Sequence, residues 1–192
     1  MKIGVLALQG DFIEHQHILE NLGAKVSQVR LSTDLNDLDG LVIPGGESTT
    51  IGKLAEDFNL IEPLRCFAKE KAVWGTCAGS IFLSKDARRK QPLLGLMDIQ
   101  VERNAFGRQV DSFEIDLAVP CLQKISKSNA PFHAIFIRAP LIEKVGKDVD
   151  VLAKTPDGSI VAAQQFGWLV TSFHPELTDD DRFHRYFLEM AK

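Results

Sequence analysis

Residues 3–29 read IGVLALQGDFIEHQHILENLGAKVSQV, and the order of patterns within them points to the fold. Residues 3–8 form a short, almost unbroken apolar run, the signature of a strand buried on both faces. Residues 12–21 carry apolar side chains at helical spacing and stop short of Gly23, which predicts a helix with a glycine behind its C-terminus. Residues 25–29 return to strand character. Strand, helix and strand in one short stretch make a βαβ unit, and a parallel sheet follows from it.

The alternation continues outward. The apolar run 41–43 is stopped by Pro44-Gly45-Gly46, and Ser48 is placed to cap a helix running towards Phe58. A helix over 61–71 leads into a strand over 72–76, and 78–83 predicts the next helix. Between 96 and 164 the texture changes. Strand-like segments at 99–101, 113–117, 134–137, 151–154 and 160–163 alternate with turns, which predicts hairpins or mixed sheet. Residues 168–173 form a last apolar strand. After Asp179-Asp180-Asp181, the positions of Phe183, Tyr186, Phe187 and Met190 predict an amphipathic closing helix, acidic at its start. The fold class is α/β, and the 192 residues hold no repeat, low-complexity tract or linker, so one domain over 1–192 is expected.

A composition of 45% hydrophobic and 25% charged residues is that of an ordinary soluble protein. A net charge of −4, with Arg88-Arg89-Lys90 as the only dense basic cluster, argues against nucleic acid as a partner. The apolar run at 3–8 is too short for a signal peptide, and no stretch approaches the roughly 18 apolar residues of a membrane helix. A cytoplasmic location is the expectation. Cys66, Cys77 and Cys121 are odd in number and not closely paired, which suits neither a disulfide framework nor a CxxC metal site. No cofactor or metal site is evident.

Chemistry concentrates at Gly75-Thr76-Cys77-Ala78-Gly79, where a strand turns into a helix. This is the setting of a nucleophile elbow with cysteine in place of serine. Glycines on both sides remove Cβ atoms that would collide with neighbouring backbone, and the helix starting at Ala78 aims its free N–H groups at the sulfur. The pentapeptide alone fits a small buried structural cysteine equally well. A nucleophile also needs a base and a group to orient that base. His15 and His17 fall on the first helix, His184 on the last and His133 beside a strand start, and surface or packing roles are expected for all four. His174 differs, because it ends a strand and precedes Pro175 and Glu176. Proline favours an extended residue before it, and residues two apart in extended chain share a side, which brings Glu176 towards His174. Finally, Pro44-Gly45-Gly46-Glu47-Ser48-Thr49 follows a strand, and the Gly46 and Ala78 N–H groups suit an oxyanion hole.

These segments, with residues 6–11, Val101-Glu102-Arg103-Asn104-Ala105-Phe106-Gly107-Arg108-Gln109, residues 136–140 and residues 172–177, resemble the class I (triad) glutamine amidotransferases. Within them the chain is most similar to the glutaminase subunits of pyridoxal 5′-phosphate synthase. The resemblance implies a three-layer α/β/α fold around a mostly parallel sheet with an antiparallel or mixed portion. It implies Cys77, His174 and Glu176 as triad, and Gly46, Glu47, Ser48, Arg103, Ile137 and Arg138 as contacts for L-glutamine. A free amino acid offers an ammonium and a carboxylate, for which Glu47 and an arginine are suitable partners. The resemblance further implies a separate (β/α)8-barrel synthase subunit that receives the ammonia, with pyridoxal phosphate as product rather than cofactor. A related cysteine hydrolase, an amidotransferase feeding another pathway and a non-catalytic binding module are the alternatives.

Overall fold

The computed structural model describes residues 1–103, 112–126 and 129–192, so residues 104–109 of the Val101-to-Gln109 motif lie outside the described residues. The opening runs as its pattern predicts: β1 (Lys2–Leu6), α1 (Phe12–Asn21) and β2 (Lys25–Val29), with β1 and β2 parallel. There follow β3 (Gly40–Ile43), α2 (Ser48–Asp57), α3 (Ile61–Ala68), β4 (Ala72–Thr76) and α4 (Ala78–Leu83). The remaining strands are β5 (Ser84–Asp86), β6 (Met97–Glu102), β7 (Ser112–Leu117), β8 (Phe132–Ile137), β9 (Leu141–Val145), β10 (Asp150–Lys154), β11 (Ile160–Gln165) and β12 (Trp168–Thr171), before a closing helix α5 (Arg182–Met190).

The main sheet has the order β2-β1-β3-β4-β12-β11-β9-β6-β5, with β10 beside β11. Strands β2, β1, β3, β4 and β12 are mutually parallel, whereas β11, β9 and β6 continue the sheet by antiparallel pairing. Strands β7 and β8 form a separate antiparallel ladder.

Side chains alternate between two apolar layers. Ile3, Val5, Val42 and Trp74 point to one face, where Leu19 of α1 and Phe183 and Phe187 of α5 cover them. Leu6, Leu41, Ile43 and Val73 point to the other, under Ile51 of α2, Leu64 of α3 and Phe82 of α4. Burial on both faces explains why these strands read as continuous apolar runs. The result is helix layers on either side of a curled sheet.

Two local expectations need correction. Glu47, not Ser48, is the N-cap of α2: its carboxylate accepts from the N–H groups of Thr49 (3.2 Å) and Thr50 (2.7 Å). The longer side chain reaches back over the first turn, and its charge complements the helix dipole there. Ser48 is instead the first helical residue, buried, with its hydroxyl accepting from Gln91 Nε2 at 3.3 Å. The segment after His174 is not extended either, because Pro175–Leu177 closes a 3-10 turn with Pro175 at its start.

Candidate active site

Four loops meet at the carboxyl ends of β1, β3, β4 and β12, where ligands gather in open α/β sheets. Cys77 follows β4, and its N–H continues the ladder to Thr171 O of β12 (2.8 Å). The chain then reverses so sharply that Cys77 takes φ 46° and ψ −107°, a costly conformation for a residue with a side chain. The flanking glycines make the reversal possible through lack of volume. A Cβ on Gly75 would lie 2.5 Å from Gly79 O, and one on Gly79 would lie 2.0 Å from Ile43 O. Strand β3, strand β4 and helix α4 therefore pack backbone against backbone around the cysteine.

His174 and Glu176 come from the loop after β12, the sheet neighbour of β4. His174 Nδ1 and Glu176 Oε1 are 2.7 Å apart, and Cys77 is near enough to His174 to favour its protonated form. Cys77 is 6% exposed and His174 5%, so the pair is screened from bulk water but open to the cleft. The Cys77 sulfur lies 3.9 Å from Ile137 O, which places the end of β8 against the nucleophile. Glu176 sits behind His174, buried, and reaches it through the 3-10 turn.

Burial opposes charge on His174, but the nearness of Cys77 and the hydrogen bond to Glu176, with the charges of both, outweigh that and push its pKa up to about 10. Burial pushes Glu176 up as well, offset in part by its hydrogen bond to His174. The three groups act as one coupled unit in which a proton on the imidazole is stabilised from both sides.

The loop after β3 closes over the same place. Gly45 O accepts from Asp11 N–H (3.2 Å), and Glu47 N–H donates to Gln9 Oε1 (2.7 Å), so the glycine loop is tied to the loop after β1. Side chains are excluded at three points. A Cβ on Gly10 would sit 1.7 Å from Gly45 O, one on Gly46 2.5 Å from Gln9 Oε1, and one on Gly45 2.6 Å from the His174 ring. The first-turn N–H of Ala78 has no acceptor within its helix.

Gly46, Glu47, Ser48, Cys77, Ala78, Arg103, Ile137, Arg138 and His174 line one cleft of about 430 Å³. Every residue proposed from the sequence thus borders it or, like Glu176, stands directly behind it. Arg103 donates to Glu47 Oε1 (2.8 Å) and Thr49 Oγ1 (3.0 Å). Burial opposes charge on Glu47, but the Thr50 hydroxyl, the two capping N–H groups and Arg103 outweigh it and hold the pKa down at about 2. Arg138 is exposed, takes φ 44°, and has no ion-pair partner among the described residues. Asp11, His174 and Glu176 offer ligand atoms within 4.8 Å of one another, but the nearest two are already engaged in the 2.7 Å hydrogen bond, which suits a proton better than a metal.

The residues that sequence reasoning missed lie behind the triad. His15 of α1 and His184 of α5 are fully buried. Their signal was positional: His15 shares a helix face with Leu19, and His184 with Phe187, both of which point inward. By contrast His17 is exposed, and His133 is an exposed residue between Asp116 (2.9 Å) and Glu114 (3.0 Å).

Burial holds His184 down at about 3, and His15 lies well below its ordinary value through burial and the nearness of His184 and His174. Both folded-state values are depressed, so below about pH 6.5 the unfolded chain binds protons that the folded chain refuses. Stability present above that pH is lost as pH falls. Urea unfolding at pH 7, 6 and 5 should show this decline; equal stabilities across the range would contradict it.

Known proteins give this geometry its context. The SNO glutamine amidotransferase family matches residues 5–192. The chain is 56% identical to the pyridoxal 5′-phosphate synthase subunit PdxT of Dehalococcoides mccartyi, covering 100% of this chain and 98% of that one. It is 57% identical to the subunit of the same name from Herpetosiphon aurantiacus, over 98% and 99% of the two chains. A crystal structure of a glutamine amidotransferase superposes with TM-score 0.91 at 49% identity, over 98% of each chain. PurLQS from Thermotoga maritima, at 16% identity and TM-score 0.72, shares the fold. With its pattern matched from the first strand to the last residue, and with relatives more than half identical along their full lengths, the chain belongs to the SNO glutamine amidotransferase family.

Proposed function

We propose that this chain hydrolyses L-glutamine to L-glutamate and ammonia through a Cys77 glutamyl thioester, and passes the ammonia to a synthase subunit that makes pyridoxal 5′-phosphate. The observation that carries the reading is the 2.7 Å pairing of His174 with Glu176 beside Cys77, at a cleft that Gly46, Glu47, Ala78, Arg103 and Arg138 also line. The PdxT names of the full-length relatives support the product.

In the proposed reaction the Cys77 thiolate attacks the side-chain amide carbon, and the Gly46 and Ala78 N–H groups take the oxyanion. The intermediate collapses as the C–N bond breaks and protonated His174 gives its proton to the leaving ammonia. Water then attacks the thioester, losing a proton to His174, and the C–S bond breaks to release glutamate and restore the thiolate. Glu176 keeps the His174 ring oriented throughout and stabilises its charge.

The α-ammonium of glutamine is assigned to Glu47, whose low pKa keeps it anionic. Arg138 is assigned to the α-carboxylate, because Arg103 is already held by Glu47 and Thr49. Arg103 then fixes Glu47 and adds positive charge to the rim, and Ser48 and Ile137 shape the walls.

The partner is proposed to be a (β/α)8-barrel synthase that docks near the carboxyl ends of the parallel strands. The oxyanion loop is tied to Gln9 and Asp11, so a partner pressing on that segment would act on the Gly45–Gly46 peptide directly. Ammonia release from L-glutamine by the chain alone and with the synthase subunit tests the reading. The expected result is release that rises when the synthase is added. A rate indifferent to the synthase would remove the assigned partner, and no release under either condition would remove the glutaminase.

A further inference from the structure

The mechanism leaves one buried polar group unexplained: the second oxygen of Glu176. Oε1 serves His174, but Oε2 is buried without a hydrogen-bond partner among the described residues, and His15 Nε2 lies 3.3 Å from it. On its far side His15 Nδ1 faces His184 Nε2 at 2.9 Å, and His15 Nε2 is also 3.2 Å from Thr76 Oγ1. His184 Nδ1 is buried and has no hydrogen-bond partner among the described residues.

Hydrogen-bond accounting selects one tautomer. If His15 carried its proton on Nδ1, it would donate to His184 Nε2, and neutral His184 would have to bury an N–H on Nδ1 with no acceptor. At the same time the bare His15 Nε2 would face the carboxylate lone pairs. If His15 carries its proton on Nε2, that N–H donates to Thr76 Oγ1 (3.2 Å) and presents its positive end to Glu176 Oε2 at 3.3 Å, and His184 Nε2–H donates to His15 Nδ1. The unpaired atom is then only a lone pair on His184 Nδ1. An orphaned buried donor is the costlier defect, so the second arrangement prevails.

We propose that His15 is a positioning residue for the reaction: its Nε2–H, fixed by the donor on His184, holds Glu176 Oε2 so that the carboxylate stays ionised and turned towards His174. The inference rests on the glutaminase reading above and deepens it. The charged and titratable groups facing Glu176 are His174 from its own loop and His15 and Asp11 from the α1 side, with His184 of α5 behind His15. Among them Asp11 disfavours the carboxylate charge, whereas His15 presents Nε2 to Oε2, the oxygen that His174 does not use. Removing that donor disfavours the ionised form, raises the pH at which Glu176 takes a proton, and deprives the imidazolium of its counter-charge.

His15→Asn and His15→Gln separate this from a packing role. Both are polar and neutral, but an asparagine amide ends where Nδ1 lies, whereas a glutamine amide reaches the place of Nε2. Glutamine hydrolysis is measured against pH with the synthase subunit present. For His15→Asn the acid limb of kcat/KM should move up by about one pH unit, with kcat lowered and KM unchanged, while His15→Gln keeps the wild-type limb. The same acid limb in both variants would overturn the proposal. Histidine 15N NMR of the wild type reads the arrangement without any variant: a neutral Nε2–H tautomer of His15 between pH 6 and 9 is expected, and an Nδ1–H tautomer would overturn it. A wild type that fails to hydrolyse glutamine would count against the glutaminase reading, whereas the tautomer would still judge His15.

Discussion

Cys77→Ala is expected to lower glutamine hydrolysis by at least about 10⁴-fold while glutamine binding stays within a few-fold of the wild type. The size follows from what is removed. The oxyanion donors, the charged rim and His174 all remain, but no group is left to form the covalent bond, and water has no thioester to attack. Binding survives because the proposed contacts for the ammonium and carboxylate lie on Glu47 and Arg138, not on the sulfur. Stability should not fall, since alanine at this turn keeps the Cβ and removes only the sulfur. Isothermal titration with glutamine, set beside an ammonia assay, separates the two effects. Hydrolysis within tenfold of the wild type would transfer the chemistry to another residue.

Glu176→Gln is expected to cost about 10³-fold in kcat, by the logic that makes an amide a poor substitute for a triad carboxylate. Glu176 meets a proton-bearing nitrogen at each oxygen, His174 Nδ1 at 2.7 Å and His15 Nε2 at 3.3 Å. An amide has one acceptor end and one donor end. With its oxygen towards His174, its NH2 faces His15 Nε2 and drives His15 and His184 into the tautomers that bury an unpaired proton. With its nitrogen towards His174, the ring must carry its proton on the nitrogen nearest Cys77, where a free lone pair is needed. Neither arrangement supplies the negative charge that helps keep the His174 pKa up at about 10. The basic shift of His174 should shrink accordingly, and a steady-state assay across pH will show both changes. A kcat within tenfold of the wild type would show that the carboxylate does not orient the base.

Much of this is legible in the sequence. Strands β1, β3, β4 and β12 are apolar because both faces are covered, and the strand–helix–strand order of residues 3–29 pointed to a parallel sheet. The elbow glycines were legible for the right reason, since Gly75 and Gly79 do lie against backbone. Strand β5, Ser-Lys-Asp, was not legible: it borrows its conformation from β6 and leaves no pattern of its own. The route from His174 to Glu176 was misjudged because proline restrains the residue before it, while the turn after it depends on neighbours distant in sequence. Glu47 as a cap was missed because short side chains usually hold that position. His15 shows the limit most clearly, because its place on a buried helix face was readable whereas its contact with Glu176 spans the whole chain.

The central claim is a glutamyl thioester on Cys77, and the most direct test is to trap it. The wild-type protein, mixed with its synthase subunit and L-glutamine, is quenched in acid during turnover, digested and examined by mass spectrometry. The account predicts a glutamyl adduct on the peptide carrying Cys77 and none on those carrying Cys66 or Cys121. Sustained ammonia release with an adduct on either of the other cysteines would contradict it.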